Sequence, residues 1–187
     1  MKKLMLSCAL LAAMAFSVSN LKAQSTNYKP FKVDLAFGYA VPAGSGSKGG
    51  VVFAIEPKYA VNNSLTLGLR MESALTASAI EIDGESLVGD VKATGSYLLT
   101  GDYFLKETGF RPFVGAGIGL YSLAGIEIGD EDLEIGAKTK FGFAPRVGFE
   151  TGHFRTGIEY NFAGKNLGAN YNYLAFKIGF FLGGGKK

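Results

Sequence analysis

The chain has 187 residues, with 27 glycines, 15 phenylalanines, nine tyrosines and no tryptophan. Its net charge of +3 comes from three lysines, Lys2, Lys3 and Lys22, in a segment without acids. Residues 24–187 therefore balance 16 basic against 16 acidic side chains, so the chain carries no electrostatic footprint for nucleic acid. Cys8 is the sole cysteine and the mature chain would have none, which excludes disulfides and thiolate metal sites.

Residues 1–23 read as a cleaved secretory signal peptide. Lys2 and Lys3 form the positive start, Leu4 to Val18 the apolar stretch, and Ser19 to Ala23 the polar exit. Only seven residues precede Cys8, too few to supply the apolar region of a lipidation signal. Residues 24–187 then form one domain. No stretch of it approaches the ~20 apolar residues of a spanning helix. If the domain sits in a membrane, it must do so as a closed barrel.

Eight alternating runs follow. In the first, Phe31 to Ala40, the residues Val33, Leu35, Phe37 and Tyr39 share one face, and Lys32, Asp34, Ala36 and Gly38 the other. After a flexible loop, Val41 to Gly50, the second run (Val51 to Tyr59) sets Val51, Phe53, Ile55 and Tyr59 against Ala54, Glu56 and Lys58. A tight turn at Val61–Asn63 leads to the third, Leu65 to Leu75, with Leu65, Leu67, Leu69 and Met71 opposed to Thr66, Gly68, Arg70 and Glu72. Thr76 to Val88 reads as a long acidic loop. The fourth run, Val91 to Leu105, alternates Tyr97, Leu99, Tyr103 and Leu105 with Ser96, Thr100 and Asp102.

A short turn at Lys106–Gly109 precedes the fifth run, Phe110 to Tyr121, where Val114, Ala116, Ile118 and Leu120 alternate with glycines. Ser122 to Glu134 reads as a second long acidic loop. Runs six and seven form a hairpin, Phe141 to Phe162, around Glu150–His153. Phe141, Phe143, Val147, Phe149, Phe154, Ile158, Tyr160 and Phe162 share its apolar face, and Lys140, Arg146, Glu150, Arg155 and Glu159 its charged face. The eighth run carries Leu174, Phe176, Ile178, Phe180 and Leu182 against Tyr173, Ala175, Lys177 and Gly179.

Period-two alternation of this kind marks strands. Connections after runs one, three, five and seven are long, while those after two, four and six are hairpin turns. Short periplasmic turns, longer outer loops and runs of about 9–12 residues are the pattern of a transmembrane barrel. The fold class is all-β, an eight-stranded antiparallel up-and-down transmembrane β-barrel after the cleaved signal peptide.

The signal peptide, the segment Arg111 to Tyr121 (RPFVGAGIGLY) and the closing run Leu174 to Leu182 (LAFKIGFFL) carry a resemblance. The chain resembles the small outer-membrane β-barrel family of the OmpA, OmpX and OmpW type over essentially all of residues 24–187. One departure is the ending Gly183–Lys187, where such barrels often close on a terminal aromatic; Phe180, Phe181 and Leu182 are expected to serve in its place. The resemblance implies the outer membrane of a Gram-negative bacterium. It also implies outer-membrane lipid and lipopolysaccharide, barrel-assembly machinery and periplasmic chaperones as partners.

An eight-stranded interior is only just filled by side chains, and buried charges are tolerated only when paired and hydrogen-bonded. Asp34, Glu56, Arg70, Glu72, Asp102, Arg146, Glu159 and Lys177 are therefore expected to form an ion-pair network filling the lumen. Demanding that like faces meet puts Arg146 opposite Gly157, Glu159 opposite Ala144 and Arg155 opposite Gly148. In the other hairpin it puts Glu56 opposite Gly68 and Arg70 opposite Ala54. Aromatic girdles are expected at two levels: Tyr59, Tyr103, Phe110, Phe149, Phe154 and Phe180 at the periplasmic boundary, and Tyr39, Tyr121, Phe141, Phe162 and Tyr171 at the outer one. Pro57 and Pro112 fall near periplasmic strand ends, and Pro145 predicts a bulge, since a missing N–H removes a ladder bond.

Little points to chemistry. The glycines from Gly115 to Gly119 precede no helix, so they make no nucleotide loop. His153 reads as a turn residue without a nucleophile beyond Thr151. Glu127, Asp130, Glu131, Asp132 and Glu134 lack cation-ligand spacing and read as a solvated loop. No cofactor, metal or catalytic residue is expected. The leading functional expectation is a non-enzymatic barrel with exposed outer loops in a structural, adhesive or defensive role. The alternatives are a narrow channel or carrier for small solutes, and a secreted soluble ligand-binding barrel.

Overall fold

The computed structural model describes residues 28–43, 47–82, 85–126, 135–166 and 169–184. The expected signal segment and the acidic positions from Glu127 to Glu134 lie outside these residues.

Alternation turns into strands β1 (Phe31–Pro42), β2 (Ser47–Ala60), β3 (Leu65–Ile82), β4 (Glu85–Phe104), β5 (Arg111–Ile126), β6 (Ile135–Thr151), β7 (Phe154–Asn161) and β10 (Tyr173–Gly183). Two short strands, β8 (Lys165–Asn166) and β9 (Ala169–Asn170), pair with each other between β7 and β10. The eight long strands close into an antiparallel barrel in the order β1-β10-β7-β6-β5-β4-β3-β2. Closure leaves no edge strand in the wall, so backbone donors and acceptors are satisfied between neighbours.

The polarity is inverted relative to a water-soluble barrel. Phe37, Val51, Leu69, Leu99, Ile118, Phe141, Val147 and Ile178 are exposed, Phe141 to 72%. Charged residues line the interior instead, with Arg70, Asp102, Glu150 and Glu159 at most 2% exposed. Burying charge while leaving aromatics outside is favourable only when the outer medium is itself apolar.

Two tight turns set the registers of their hairpins. Asn62 Oδ1 accepts from the amides of Ser64 (2.9 Å) and Leu65 (2.7 Å), which organises the β2–β3 turn. Gly152, at φ +57°, opens a two-residue turn with His153 between the paired Thr151 and Phe154. Gly at the first position of a two-residue loop fits the twist of the flanking strands.

These turns correct both expected registers by two residues. Arg146 faces Glu159 and Gly148 faces Gly157, with Glu150 opposite Arg155. In the β2–β3 hairpin Lys58 faces Gly68 and Ala54 faces Glu72. In each case the turn is centred one residue later than alternation alone suggests. A shift of two preserves which face each side chain occupies, so the inside and outside assignments survive.

The expected bulge at Pro145 is absent: Ala116 pairs with Pro145 with no shift of the β5–β6 register. The β6–β7 ladder runs from Thr151 to Arg146, and beyond Pro145 only the bridge Phe143–Phe162 continues it. Phe162 N donates to Phe143 O at 2.9 Å, so by parity the nitrogen of Pro145 faces β7. Proline costs this seam a donor without moving the strand. Irregularities lie elsewhere, between Lys48 and Val51 and between Ala77 and Ala79.

One expected loop is largely strand, and the described part of a second is strand as well. The β3–β4 ladder runs on to Ile82 paired with Glu85, through the stretch read as the loop Thr76 to Val88. The β5–β6 ladder reaches Ile126 paired with Ile135. Threonine and isoleucine among the acids of the first stretch favour a strand, which its acidic composition obscures.

Candidate functional site: the charged lumen

The wall directs seven cations (Lys32, Lys58, Arg70, Arg111, Arg146, Arg155, Lys177) and six carboxylates (Asp34, Glu56, Glu72, Asp102, Glu150, Glu159) into contact. Arg146 lies at the centre. Its Nε donates to Asp102 Oδ1 at 2.7 Å and its Nη2 to Glu56 Oε1 at 2.8 Å. Arg155, from the facing strand, reaches Asp102 Oδ2 at 2.8 Å and Glu150 Oε1 at 2.5 Å. Lys58 Nζ bridges Asp34 (2.7 Å) and Asp102 (2.9 Å). Planar guanidinium forks suit such sharing of carboxylates, because two donors can be committed in fixed geometry.

Further from the short turns, Lys177 Nζ joins Glu72 (2.7 Å) to Glu159 (3.0 Å), and Arg70 pairs with Glu159. Neutral groups then take over. Arg70 Nη2 donates to Ser96 Oγ and Asn161 Oδ1, both at 3.0 Å. Tyr121 OH donates to the same Asn161 oxygen at 2.8 Å, and Tyr173 OH to Glu72 at 2.6 Å. Above them is an apolar layer of Leu98, Leu123, Ala144, Ala163 and Tyr171, with Ala40, Val52, Ala74 and Ala175 opposite.

All eight residues expected to form the network point inward and each has an oppositely charged partner. Sequence reasoning placed Lys32, Lys58, Glu150 and Arg155 on the inner face but left them out of the network, and it left Arg111 unassigned to it. Strand parity alone would have admitted them all.

The rule that a long charge needs a small neighbour holds on both flanks of Lys177 and on one flank of Arg146 and Arg155. Arg146 has Gly115 on β5 and Glu159 on β7. Lys177 lies between Gly38 and Gly157, and Arg155 between Glu150 and Gly179. A Cβ on Gly115 would stand 2.3 Å from Asp102 Oδ1, and one on Gly68 would stand 2.8 Å from Lys58 Cγ. At Arg146 and Arg155 glycine makes room on one side while the counter-charge occupies the other. What space remains is small: a cavity of about 40 Å³ beside Asp34, Glu56, Arg146 and Lys177, enough for a few waters.

The aromatic belt is mostly outside. Tyr39, Tyr59, Tyr103, Phe154 and Phe180 are exposed and Phe149 is half-buried. Phe149 contacts Phe110 and Phe154 at ring separations of 4.7 and 6.3 Å near the short turns. Phe143 and Phe162 stack at 4.3 Å toward the other end. Tyr171 and Tyr121 are corrections: they are 7% and 0% exposed and turn into the lumen. Their positions share inward parity with Tyr173 and Phe113, and both rings help to form the apolar layer.

His153 sits in its expected turn and also ties it down. Its Nδ1 lies 2.9 Å from Phe181 O, while Phe181 N donates to His153 O at 2.9 Å. No group of His, Cys, Asp and Glu able to hold a metal occurs among the described residues.

Comparison with known proteins gives the fold. No family model matches the sequence, and no curated protein matches it. Solved structures do. Neisserial surface protein A (NspA) superposes with a TM-score of 0.61 at 18% identity, covering 85% of this chain and 97% of that one. The outer membrane protein OprG of Pseudomonas aeruginosa gives 0.57 at 13% identity, covering 86% and 98%. The N-terminal β-barrel domain of Pseudomonas aeruginosa OprF gives 0.50 at 15%, covering 83% and 99%. The chain thus has the fold of the small eight-stranded outer-membrane barrels.

Proposed function

We propose that this chain is a non-catalytic integral protein of a Gram-negative outer membrane, exported by its first 23 residues. Its barrel serves as a filled scaffold that presents the long-loop end to the surroundings, in a structural, adhesive or defensive role. The observation that carries the reading is the pairing of an exposed apolar belt with a lumen closed by interlocked ion pairs. The belt suits lipid and, on the outer leaflet, the acyl chains of lipopolysaccharide. Barrel-assembly machinery and periplasmic chaperones would deliver such a chain.

Two measurements test this. The protein should fractionate with outer membranes and migrate differently on gels when unboiled and boiled; a soluble, heat-insensitive band would overturn the membrane assignment. In planar bilayers the filled lumen predicts no steady conductance, and a steady current would favour a narrow channel instead.

A further inference from the structure

The outer wall of the barrel is not smooth. A cavity of about 590 Å³ lies open on it across β6, β7, β10 and β1, and the strand registers explain its shape. Val147, Ile158, Phe176 and Tyr39 stand side by side as one bank, all of them exposed. Phe149, Thr156 and Ile178 form the other. Between the banks runs the row Gly148, Gly157, Lys177 and Gly38. That row has inward parity, so the floor of the groove is bare backbone. Thr156 is the short member of its bank and leaves a notch between Phe149 and Ile178. Its Oγ1 donates to Lys177 O at 2.9 Å, so the hydroxyl is already spent and makes no polar demand on an occupant.

The notch lies low on the wall. Phe149 comes three residues before Gly152, and Thr156 three after His153. Three residues of strand tilted by about 45° rise only about 7 Å, within the periplasmic half of an apolar band about 25 Å tall. From β6 to β1 the groove crosses three strand spacings, about 14 Å. It ends at Tyr39, three residues from the long-loop end of β1, so it climbs obliquely away from the periplasmic side.

We infer that this groove is a binding site for one acyl chain of a periplasmic-leaflet phospholipid, which enters beside Phe149, fills the notch at Thr156 and rises toward Tyr39. The inference rests on the outer-membrane assignment proposed above. On a smooth wall a lipid chain gains no more from the protein than from its neighbours, because both are equally apolar, and it exchanges freely. In the groove two banks and a floor touch the chain together, and dispersion attraction grows with the number of contacts. Left unfilled, the notch forfeits those contacts. The volume falls within the range of about 300–1,000 Å³ found for ligand sites. Chains of the outer leaflet descend from the opposite side and meet the groove at Tyr39, the end away from the notch.

The test extracts the protein from outer membranes in a mild detergent and reads retained lipid by native mass spectrometry, where phospholipid and lipopolysaccharide differ in mass. The expected result is a species carrying one phospholipid that survives detergent washing. Thr156→Phe, which fills the notch, should lower the fraction of that species at least fivefold while the heat-modifiable gel band persists. Ser73→Phe, a similar change on the exposed wall of β3, should leave it unchanged. If Thr156→Phe does not fold, Thr156→Leu fills less of the notch and should lower retention at least twofold. Equal retention by the filled variant would overturn the inference, as would an equal loss in Ser73→Phe or retained lipopolysaccharide in place of phospholipid. A heat-modifiable barrel from the outer-membrane fraction that holds no lipid would also overturn it, with the membrane assignment intact. Absence of the protein from that fraction would remove the assignment and the inference together.

Discussion

The two halves of the lumen are built on different physics. Toward the short turns, carboxylates and cations interlock, and each charge is tolerable only because several neighbours share it. Toward the long loops, Leu98, Leu123, Ala144, Tyr121 and Tyr171 pack as an ordinary apolar core. The boundary is a row of neutral donors and acceptors, Ser96, Asn161, Tyr121 and Tyr173, that cap the last charges. The contrast teaches that a charged interior is a cooperative object: truncating one member strands the others, whereas truncating a core leucine costs only its own contacts and a hole.

The sharpest way to break this comparison is Arg146→Ala. It leaves Glu56 and Asp102 short of their guanidinium partner in a buried site, a change that costs about 3–5 kcal/mol. Urea titrations of the detergent-refolded barrel, followed by the heat-modifiable gel band, should show the midpoint falling accordingly. Arg146→Ala combined with Glu56→Ala should be less damaging than the sum of the single changes, because the second removes a stranded charge. Additive losses would mean that the charges act independently and that the two halves do not differ in kind.

Leu98→Ala probes the other half. Leu98 is fully buried, so the substitution should cost about 2–4 kcal/mol through lost contacts and a residual cavity. Its effect should add to that of Arg146→Ala in the double variant. At the boundary, Tyr173→Phe removes only the hydroxyl that donates to Glu72 at 2.6 Å. Lys177 still holds that carboxylate, so a loss of about 1.5–2 kcal/mol is expected from a hydrogen bond to a charged acceptor.

Much of this division was legible in the chain. Alternation located the strands of the barrel wall and settled inside from outside, because the side-chain period of a strand is two and each face keeps one polarity. The charged half could be read because Asp34, Glu56, Arg146 and Lys177 are conspicuous on strands otherwise lined by glycine and alanine. The apolar half was missed for the same reason: Leu98 sits beside Leu99, and Tyr121 and Tyr171 look like interface aromatics until their parity is followed. Which charges face which was not legible, since the turns at Asn62 and Gly152 each move the register by two residues without changing any face. Nor was the seating of Arg111 between the rings of Tyr28 and Phe104, which come from segments distant in sequence.

The smallest expected effect belongs to Pro145, which sits between Ala144 of the apolar layer and Arg146 of the charged one. Pro145→Ala would restore a backbone donor on the side facing β7, where the ladder is interrupted between Arg146 and the Phe143–Phe162 bridge. A new backbone bond there is worth about 0.5–1.5 kcal/mol. Against it, removing proline frees the unfolded chain, which costs about 0.4–1 kcal/mol. The two contributions nearly cancel, so the urea midpoint should move by less than about 1 kcal/mol. Hydrogen exchange separates them: the new amide at position 145 and those of Tyr160 and Phe162 should become more protected while global stability stays close to its starting value. If the amide at 145 exchanges freely, the gap in the seam belongs to the strand geometry rather than to the missing proton.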